Sequence, residues 1–297
     1  MISIIIVNFN SGDRLVGAVF SVLASNMDVE VIVSDNHSHD QSMLWLRECV
    51  NGDERVREIL NDSNLGFSSA NNVALALASR EYLLFLNPDC VVHTQTLSRL
   101  AEVLDGDASI GMAGCLIRNP DGTEQKAGRR RIPTPFHSLI EFLGLSNDWR
   151  DRLNLHGLNE GSRELPAGIV EVEAISGACM FVRRDALRHV GPLDEGYFLH
   201  CEDLDWCMRF RKAGWKIVFV PDVEVTHFKG TCSKSRPIFV EWHKHKGMMR
   251  FYRKFFRNQY PGVLMWLVAL GVWSRFAVLA TYYGMRHLVR RLGLARG

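Results

Sequence analysis

Residues 82–89 read Tyr-Leu-Leu-Phe-Leu-Asn-Pro-Asp, five apolar side chains in a row closed by a polar turn sequence. An apolar run this short, with no alternation, predicts a strand buried on both faces, as in a parallel sheet covered by helices. Two earlier stretches share the design. Ile-Ser-Ile-Ile-Ile-Val at 2–7 runs into Asn8-Phe9-Asn10, and Val-Glu-Val-Ile-Val-Ser at 29–34 runs into Asp35-Asn36. Between them, 13–24, 41–50 and 68–78 carry helical periodicity. Strand, helix, strand, helix implies βαβ units with right-handed crossovers. Ligands of such sheets bind beyond the carboxyl ends of the strands. Asn8, Asn10, Asp35, Asn36, Asn87 and Asp89 all fall at those ends.

The second half is less regular. Residues 119–168 are rich in Gly, Pro and Arg, with Gly128-Arg-Arg-Arg131 and an apolar patch at 136–145, and read as an insertion covering a substrate. Strands are expected at 170–175, 178–182, 216–220 and 223–226, with a helix at 203–213.

Composition narrows the classes. The chain has 297 residues, 47% hydrophobic and 23% charged, which excludes wholesale disorder. Its net charge of +2 hides an uneven distribution: 14 Lys/Arg and one acid lie in 229–297, against 21 Lys/Arg and 32 acids before it. A basic C-terminal part points to an anionic surface, lipid or nucleic acid. Seven cysteines without a C-x-x-C pair argue against a zinc site or a disulfide framework and for a reducing cytosol. The N-terminus has no basic leader and too short an apolar run for a signal peptide.

Several residue types at these positions suit particular chemistry. Asp35, closing a strand, can accept hydrogen bonds from a pyrimidine N–H or ribose hydroxyls; a loop or capping role explains it equally. Asp89 offers the single carboxylate that a hard divalent cation uses beside a diphosphate. The same tripeptide at Asn119-Pro-Asp121 runs into Gly122 and is a β-turn signal. Glu202-Asp203 opens a helix, where acids commonly cap, but adjacent carboxylates among Tyr197, Phe198 and Trp206 also suit a general base. His227 closes a strand and can add an imidazole to a cation site. Gly66 and the Asn71-Asn72 pair open a helix and allow close approach of a ligand.

Together these blocks resemble the bacterial family 2 inverting glycosyltransferases. The resemblance covers residues 1–232 and rests on Val7-Asn-Phe-Asn10, Val33-Ser-Asp-Asn-His-Ser-His-Asp40, Asn64-Leu-Gly-Phe-Ser-Ser-Ala-Asn-Asn72, Asn87-Pro-Asp89, Ser176-Gly-Ala-Cys-Met180, Glu202-Asp-Leu-Asp205 and Ala213-Gly-Trp215, in that order. The Asn-Leu-Gly-Phe and Asn-Pro-Asp forms are most similar to the rhamnosyltransferase branch that builds O-antigen or cell-wall polysaccharide. The resemblance implies an α/β protein of the glycosyltransferase A-type fold with a mostly parallel central sheet. It further implies nucleotide-sugar binding around Asn8, Asn10, Asp35, Asn36, Asn64, Gly66, Asn71 and Asn87, with Asp35 on the base. Asp89 and His227 would hold Mg2+ or Mn2+, Asp203 would be the catalytic base and Glu202 would orient the acceptor. The implied donor is a dTDP- or UDP-linked sugar, best L-rhamnose, and the acceptor a polyprenyl-diphosphate-linked saccharide. The family pattern His-x-x-Gly-x-Ser is departed from, because Ser233 comes one place late after His227. A polyprenyl-phosphate glycosyl transferase and an inactive membrane scaffold for another glycosyltransferase are the alternatives.

Residues 233–297 form the expected second part. Met248, Tyr252, Phe255 and Phe256 share one helical face and Arg250, Arg253, Lys254 and Arg257 another, the pattern of a helix lying in a headgroup plane. Residues 261–283 are apolar except for Arg275, and a mid-span Arg costs about 2.5–3.5 kcal/mol or more. A membrane-embedded or re-entrant hairpin is therefore expected over a clean span, the alternative being an amphipathic C-terminal helix pair packed on the catalytic domain or on a second subunit. Nothing in the sequence resembles a nucleic-acid module, so the anionic partner is read as the cytoplasmic face of the bacterial inner membrane. A homodimer is left open.

Overall fold

The computed structural model describes residues 1–142, 164–228 and 236–291. These pack as two units: 1–132, 164–198 and 202–228 in the first, and 133–142, 199–201 and 236–291 in the second. In chain order the elements are β1 (Ile2–Asn8), α1 (Arg14–Leu23), β2 (Val29–Asp35), α2 (Ser42–Val50), β3 (Val56–Leu60), α3 (Phe67–Leu75), β4 (Tyr82–Leu86), β5 (Cys90–Val92), α4 (Thr96–Gly106), β6 (Ile110–Arg118), β7 (Arg129–Arg130) and α5 (Pro135–Phe142). There follow β8 (Val170–Glu171), β9 (Ala174–Ile175), β10 (Cys179–Arg183), α6 (Arg184–Val190), α7 (Glu202–Lys212), β11 (Lys216–His227), α8 (Pro237–Phe256) and α9 (Gly262–Arg291).

The first unit is built on a nine-stranded sheet in the order β3-β2-β1-β4-β10-β6-β11-β5, with β8 also paired to β11. Strands β3, β2, β1 and β4 are parallel, as their unbroken apolar runs require: every residue of β1, β2 and β4 is buried. Six strands run in one sense, while β10, β5 and β8 oppose them, so the sheet is mixed. Helices cover it through stripes at helical spacing, such as Leu15, Ala18, Val19 and Val22 on α1.

Three registers place the polar strand ends. Asn8 pairs with Asp35 across β1 and β2. Insertion of β10 beside β4 sets Cys179 opposite Leu86, and His227, at the end of β11, lies opposite Cys90. The expected strands at 216–220 and 223–226 are one strand, its register against β6 shifted between Val220 and Glu224. The expected strand at 170–175 is two: β8 joins the large sheet and β9 pairs with β7 in a small one. Of the apolar patch, 136–142 lie in α5; the rest of it and residues 143–163 of the proposed insertion fall outside the described residues, as do 229–235 with Gly230 and Ser233.

In the second unit, α8 and α9 pack through Trp242 against Trp273 and Phe276, with ring centroids 5.2 and 5.5 Å apart. The apolar face of α8 is occupied by protein. Phe251, Tyr252, Phe255 and Phe256 are buried, and the Tyr252 hydroxyl bonds Ser138 of α5. Arg250, Arg253, Lys254 and Arg257 remain exposed. This corrects the expectation that α8 itself inserts in headgroups. The hairpin is corrected too: α9 is one continuous helix of 30 residues, about 45 Å at ~1.5 Å per residue, of which Gly262–Val289 are long and apolar enough to cross a membrane.

Candidate active site

At the β1 and β2 ends, Asn8 is fully buried and its amide hydrogens are committed: Nδ2 donates to Asp35 Oδ1 (2.8 Å), Ser42 Oγ (2.8 Å) and Ser38 Oγ (3.1 Å). Its Oδ1 accepts from Ser11. Asn8 therefore ties two strand ends together and fixes the Asp35 carboxylate, which also accepts from Ser38 Oγ (2.6 Å) and Ser38 N (3.0 Å). Asn10, in the left-handed region at φ +52°, accepts from the His39 N–H at 2.7 Å and so holds the 36–40 loop. Asn36 donates to the Gly66 carbonyl (3.1 Å) and accepts from Asn61 Nδ2 (3.1 Å).

Asn64 Oδ1 accepts from the Gly66 N–H at 2.9 Å. Gly66 has φ +83°, and a Cβ there would lie 2.6 Å from the Phe198 carbonyl, so only glycine fits. That same carbonyl accepts from Phe67 N at 2.7 Å, docking the start of α3 on the chain that leads to α7. Asn71 bonds back to Phe67 O inside α3, and Asn72 grips Leu193 O and Glu195 Oε1, each at 2.9 Å.

Both Asn-Pro-Asp copies are turns: Cys90 N donates to Asn87 O at 3.1 Å, and Gly122 N to Asn119 O at 2.9 Å. Their surroundings differ. The first lies against β11, where Asp89 Oδ1 is 3.1 Å from His227 Nε2 and Asn87 Nδ2 is 3.4 Å from the same nitrogen. On the other side of the ring, His227 Nδ1 is 2.7 Å from Gln125 Oε1. Gln125 Nε2 in turn donates to Asn119 Oδ1 at 2.9 Å, which orients its amide. Gln125 was not read as a site residue. It follows the second Asn-Pro-Asp turn, whose role is to deliver it.

Asp89, Cys90 and His227 bring a carboxylate oxygen, a thiol and an imidazole nitrogen within 4.8 Å of one another. Cys90 is a poor ligand here. It is fully buried in the core, and burial pushes its thiol well above the ordinary range, so it stays protonated. Asp89 and His227 remain, an oxygen and a nitrogen donor at the mouth of the sheet, and the set fits a hard divalent cation that completes its shell with phosphate oxygens.

The Glu202-Asp203 pair opens α7, and both side chains are buried. Asp203 Oδ2 receives two donors, the Arg130 guanidinium and the Gly177 N–H at 3.1 Å, and Oδ1 accepts from Leu204 N at 2.8 Å. Arg130 and Gly177 come together because β7 pairs with β9, with Arg130 opposite Ala174. The Glu202 carboxyl has a buried Oε2 with no hydrogen-bond partner, and burial, reinforced by the Asp203 charge, raises its pKa to about 8. Ahead of α7, His200 and Cys201 have φ +67° and +72°, conformations that cost non-glycine residues of order 1–3 kcal/mol each.

Gly177 and Ala178 join the two halves of the site. The Gly177 N–H holds Asp203, and the carbonyl of the following residue, Ala178, accepts from Asn87 N at 3.0 Å. One dipeptide thus ties the acidic pair of α7 to the turn bearing Asp89.

Residues 3–191 match the family described as Glycosyl transferase family 2, and residues 160–288 match Glycosyl transferase family group 2. The chain belongs to glycosyl transferase family 2. Among curated proteins it is similar to the N-acetylglucosaminyl-diphospho-decaprenol L-rhamnosyltransferase of Mycobacterium tuberculosis, 26% identical over 100% of this chain and 98% of that protein. It is also similar to rhamnosyltransferase WbbL of Escherichia coli, 25% identical over 77% of this chain and 83% of that one. Among solved structures, the mannosyltransferase PcManGT of Pyrobaculum calidifontis, in complex with GDP-Man and Mn2+, superposes with a TM-score of 0.60 at 14% identity, covering 99% of this chain and 81% of that one. GalNAc-T7 with UDP, GalNAc and Mn2+ gives 0.58 at 17% identity, over 97% and 57%. These likenesses show the A-type glycosyltransferase fold that the sequence motifs imply.

Proposed function

We propose that this glycosyltransferase moves L-rhamnose from dTDP-rhamnose to a polyprenyl-diphosphate-linked saccharide, with inversion, in the assembly of O-antigen or cell-wall polysaccharide. The observation that carries the reading is the junction at Gly177-Ala178, which joins a carboxylate suited to deprotonating an acceptor to a turn suited to a donor diphosphate. Relatives similar over their full length point to rhamnose and to a polyprenyl-linked acceptor.

Residue roles follow from the contacts. Asp35, fixed by Asn8 and Ser38, faces the base and ribose of the nucleotide, with Asn10, Asn36, Asn64 and Gly66 shaping the loops around it. Asn71, buried and bonded within α3, supports that wall from behind. Asp89 and His227 would hold Mg2+ or Mn2+, with Asn87 beside them; when bound, the cation neutralises charge on the departing nucleoside diphosphate. Arg130 and the Gly177 N–H position Asp203, which takes the acceptor hydroxyl proton as that oxygen attacks the anomeric carbon from the face opposite the diphosphate. Glu202, protonated at neutral pH, can donate a hydrogen bond that orients the acceptor. Residues 1–232 are the catalytic part, and 233–297 attach it to the cytoplasmic face of the inner membrane, where lipid-linked acceptors are concentrated.

Thermal denaturation of the purified chain against a panel of nucleotide sugars with Mn2+ tests the donor assignment, because a specific donor stabilises the folded state by mass action. dTDP-rhamnose should raise Tm more than UDP- or GDP-linked sugars. A larger response to another donor overturns the assignment.

A further inference from the structure

The membrane attachment proposed above leaves open how α9 meets lipid, and the packing of the second unit bears on this. Val263, Leu267, Leu270, Val278, Met285 and Leu288 of α9 are all exposed. Their spacing returns each to the same side of a 3.6-residue helix, so they form one largely apolar stripe from the first turn to the last, with exposed Ser274 and Thr281 the polar side chains along it. The other side of α9 is occupied. Trp273 and Phe276 pack on Trp242, and Phe276 lies 5.6 Å from His245. Residues 273–276 are the middle of the helix.

A helix crossing a bilayer holds its middle at the hydrocarbon midplane, and α8 would be carried there with it. Beside Trp242 and His245 stand Glu241 and Lys244, 3.7 Å apart, with the Lys244 side chain half exposed. Arg275 is exposed on α9 itself. A span would therefore place three charged side chains in the region where charge is least tolerated. Lying flat avoids this. The stripe then enters the boundary between headgroups and acyl chains, and the far side of α9 keeps its protein partner. Arg275 and Arg286, three turns apart, project from one flank of the stripe toward lipid phosphates. Exposed Arg250, Arg253, Lys254 and Arg257 on α8 add to the attraction of an anionic surface.

We propose that α9 is an in-plane anchor: its outer stripe docks on an anionic phospholipid surface without crossing it, so both ends of the chain stay on one side of the membrane. The inference rests on the membrane attachment proposed above, and the experiment separates the two. Full-length chain carrying a tag at each end is expressed, and oriented membrane vesicles are treated with protease from outside. Both tags should be cleaved in the same vesicle preparation and protected in the opposite one. Tags on opposite sides overturn the in-plane anchor and leave membrane attachment standing; a chain found only in the soluble fraction overturns both. For purified chain, Leu270→Glu combined with Val278→Glu should weaken partition onto phosphatidylcholine vesicles containing phosphatidylglycerol by about tenfold or more. Thermal stability should hold, since both side chains are exposed. Unchanged partition of a folded double variant overturns the proposal.

Discussion

His227 Nδ1 lies 2.7 Å from Gln125 Oε1, while Nε2, across the ring, lies 3.1 Å from Asp89 Oδ1. The amide of Gln125 presents its oxygen, because its nitrogen is committed to Asn119. Nδ1 therefore carries the ring proton, and the Nε2 lone pair faces a carboxylate oxygen. Two electron pairs at that distance suit a bound cation between them. An outer partner of this kind typically contributes 10–100-fold to metal affinity. Gln125→Leu should accordingly raise the Mn2+ concentration for half-maximal turnover by about 10–100-fold, with kcat at saturating Mn2+ changed far less. A metal titration of initial rates checks this, and an unshifted midpoint would count against the cation site.

Arg130 reaches Asp203 from a strand far from it in sequence. Without the guanidinium, the carboxylate loses the side-chain donor that fixes its position. Arg130→Met should lower kcat about tenfold or more and leave the donor KM nearly unchanged. Arg130→Lys should restore part of the lost kcat. A variant that loses donor affinity and keeps its kcat would assign Arg130 to the donor instead.

Glu202 gives a stability prediction with a definite sign. Its folded pKa is about 8, raised by burial and by Asp203 from an ordinary value of 4.5. Between those values the folded state binds a proton that the unfolded state does not. The stability from this proton is complete below about pH 4.5 and disappears as pH rises through 8. Glu202→Gln removes the titration. The Tm of the variant minus that of the parent should therefore increase from pH 5 to pH 8.5, as read by thermal denaturation, and a flat difference would contradict the assignment.

Gly66→Ala places a methyl group 2.6 Å from a backbone carbonyl at a positive φ. Neither atom belongs to a flexible side-chain end, so the strain should cost about 1–3 kcal/mol. Chemical denaturation should show a lower midpoint, and an unchanged midpoint would mean that the contact with Phe198 yields easily.

The parallel half of the fold was legible because its strands are unbroken apolar runs, and strand 82–86 coincides with β4. Strand β3 was missed because Val-Arg-Glu-Ile-Leu, at the sheet edge, mixes exposed and half-buried residues and shows neither pattern cleanly. Strand β5 has three residues, too few for any periodicity. Polar residues at strand ends were readable, since position alone marks them. Gln125 and Arg130 were not: each reaches its partner by a pairing distant in sequence, β11 beside β6 and β7 beside β9, and no local pattern encodes that. The hairpin expected at 261–283 came from the charge of Arg275 in an apolar run; Arg275 is exposed on a continuous helix, and its charge needs no turn.

The most direct measurement is of transfer itself. Purified full-length chain, dTDP-rhamnose and a polyprenyl-diphosphate-linked N-acetylglucosamine are mixed with Mn2+, and dTDP release and glycosylated lipid are followed together. The two should appear in equal amounts, the new linkage should have the anomeric configuration opposite to that of the donor, and Asp203→Asn should lower the rate by roughly 10²–10⁴-fold while still binding donor. Retention of configuration, or near-normal turnover by a folded Asp203→Asn, would contradict the account.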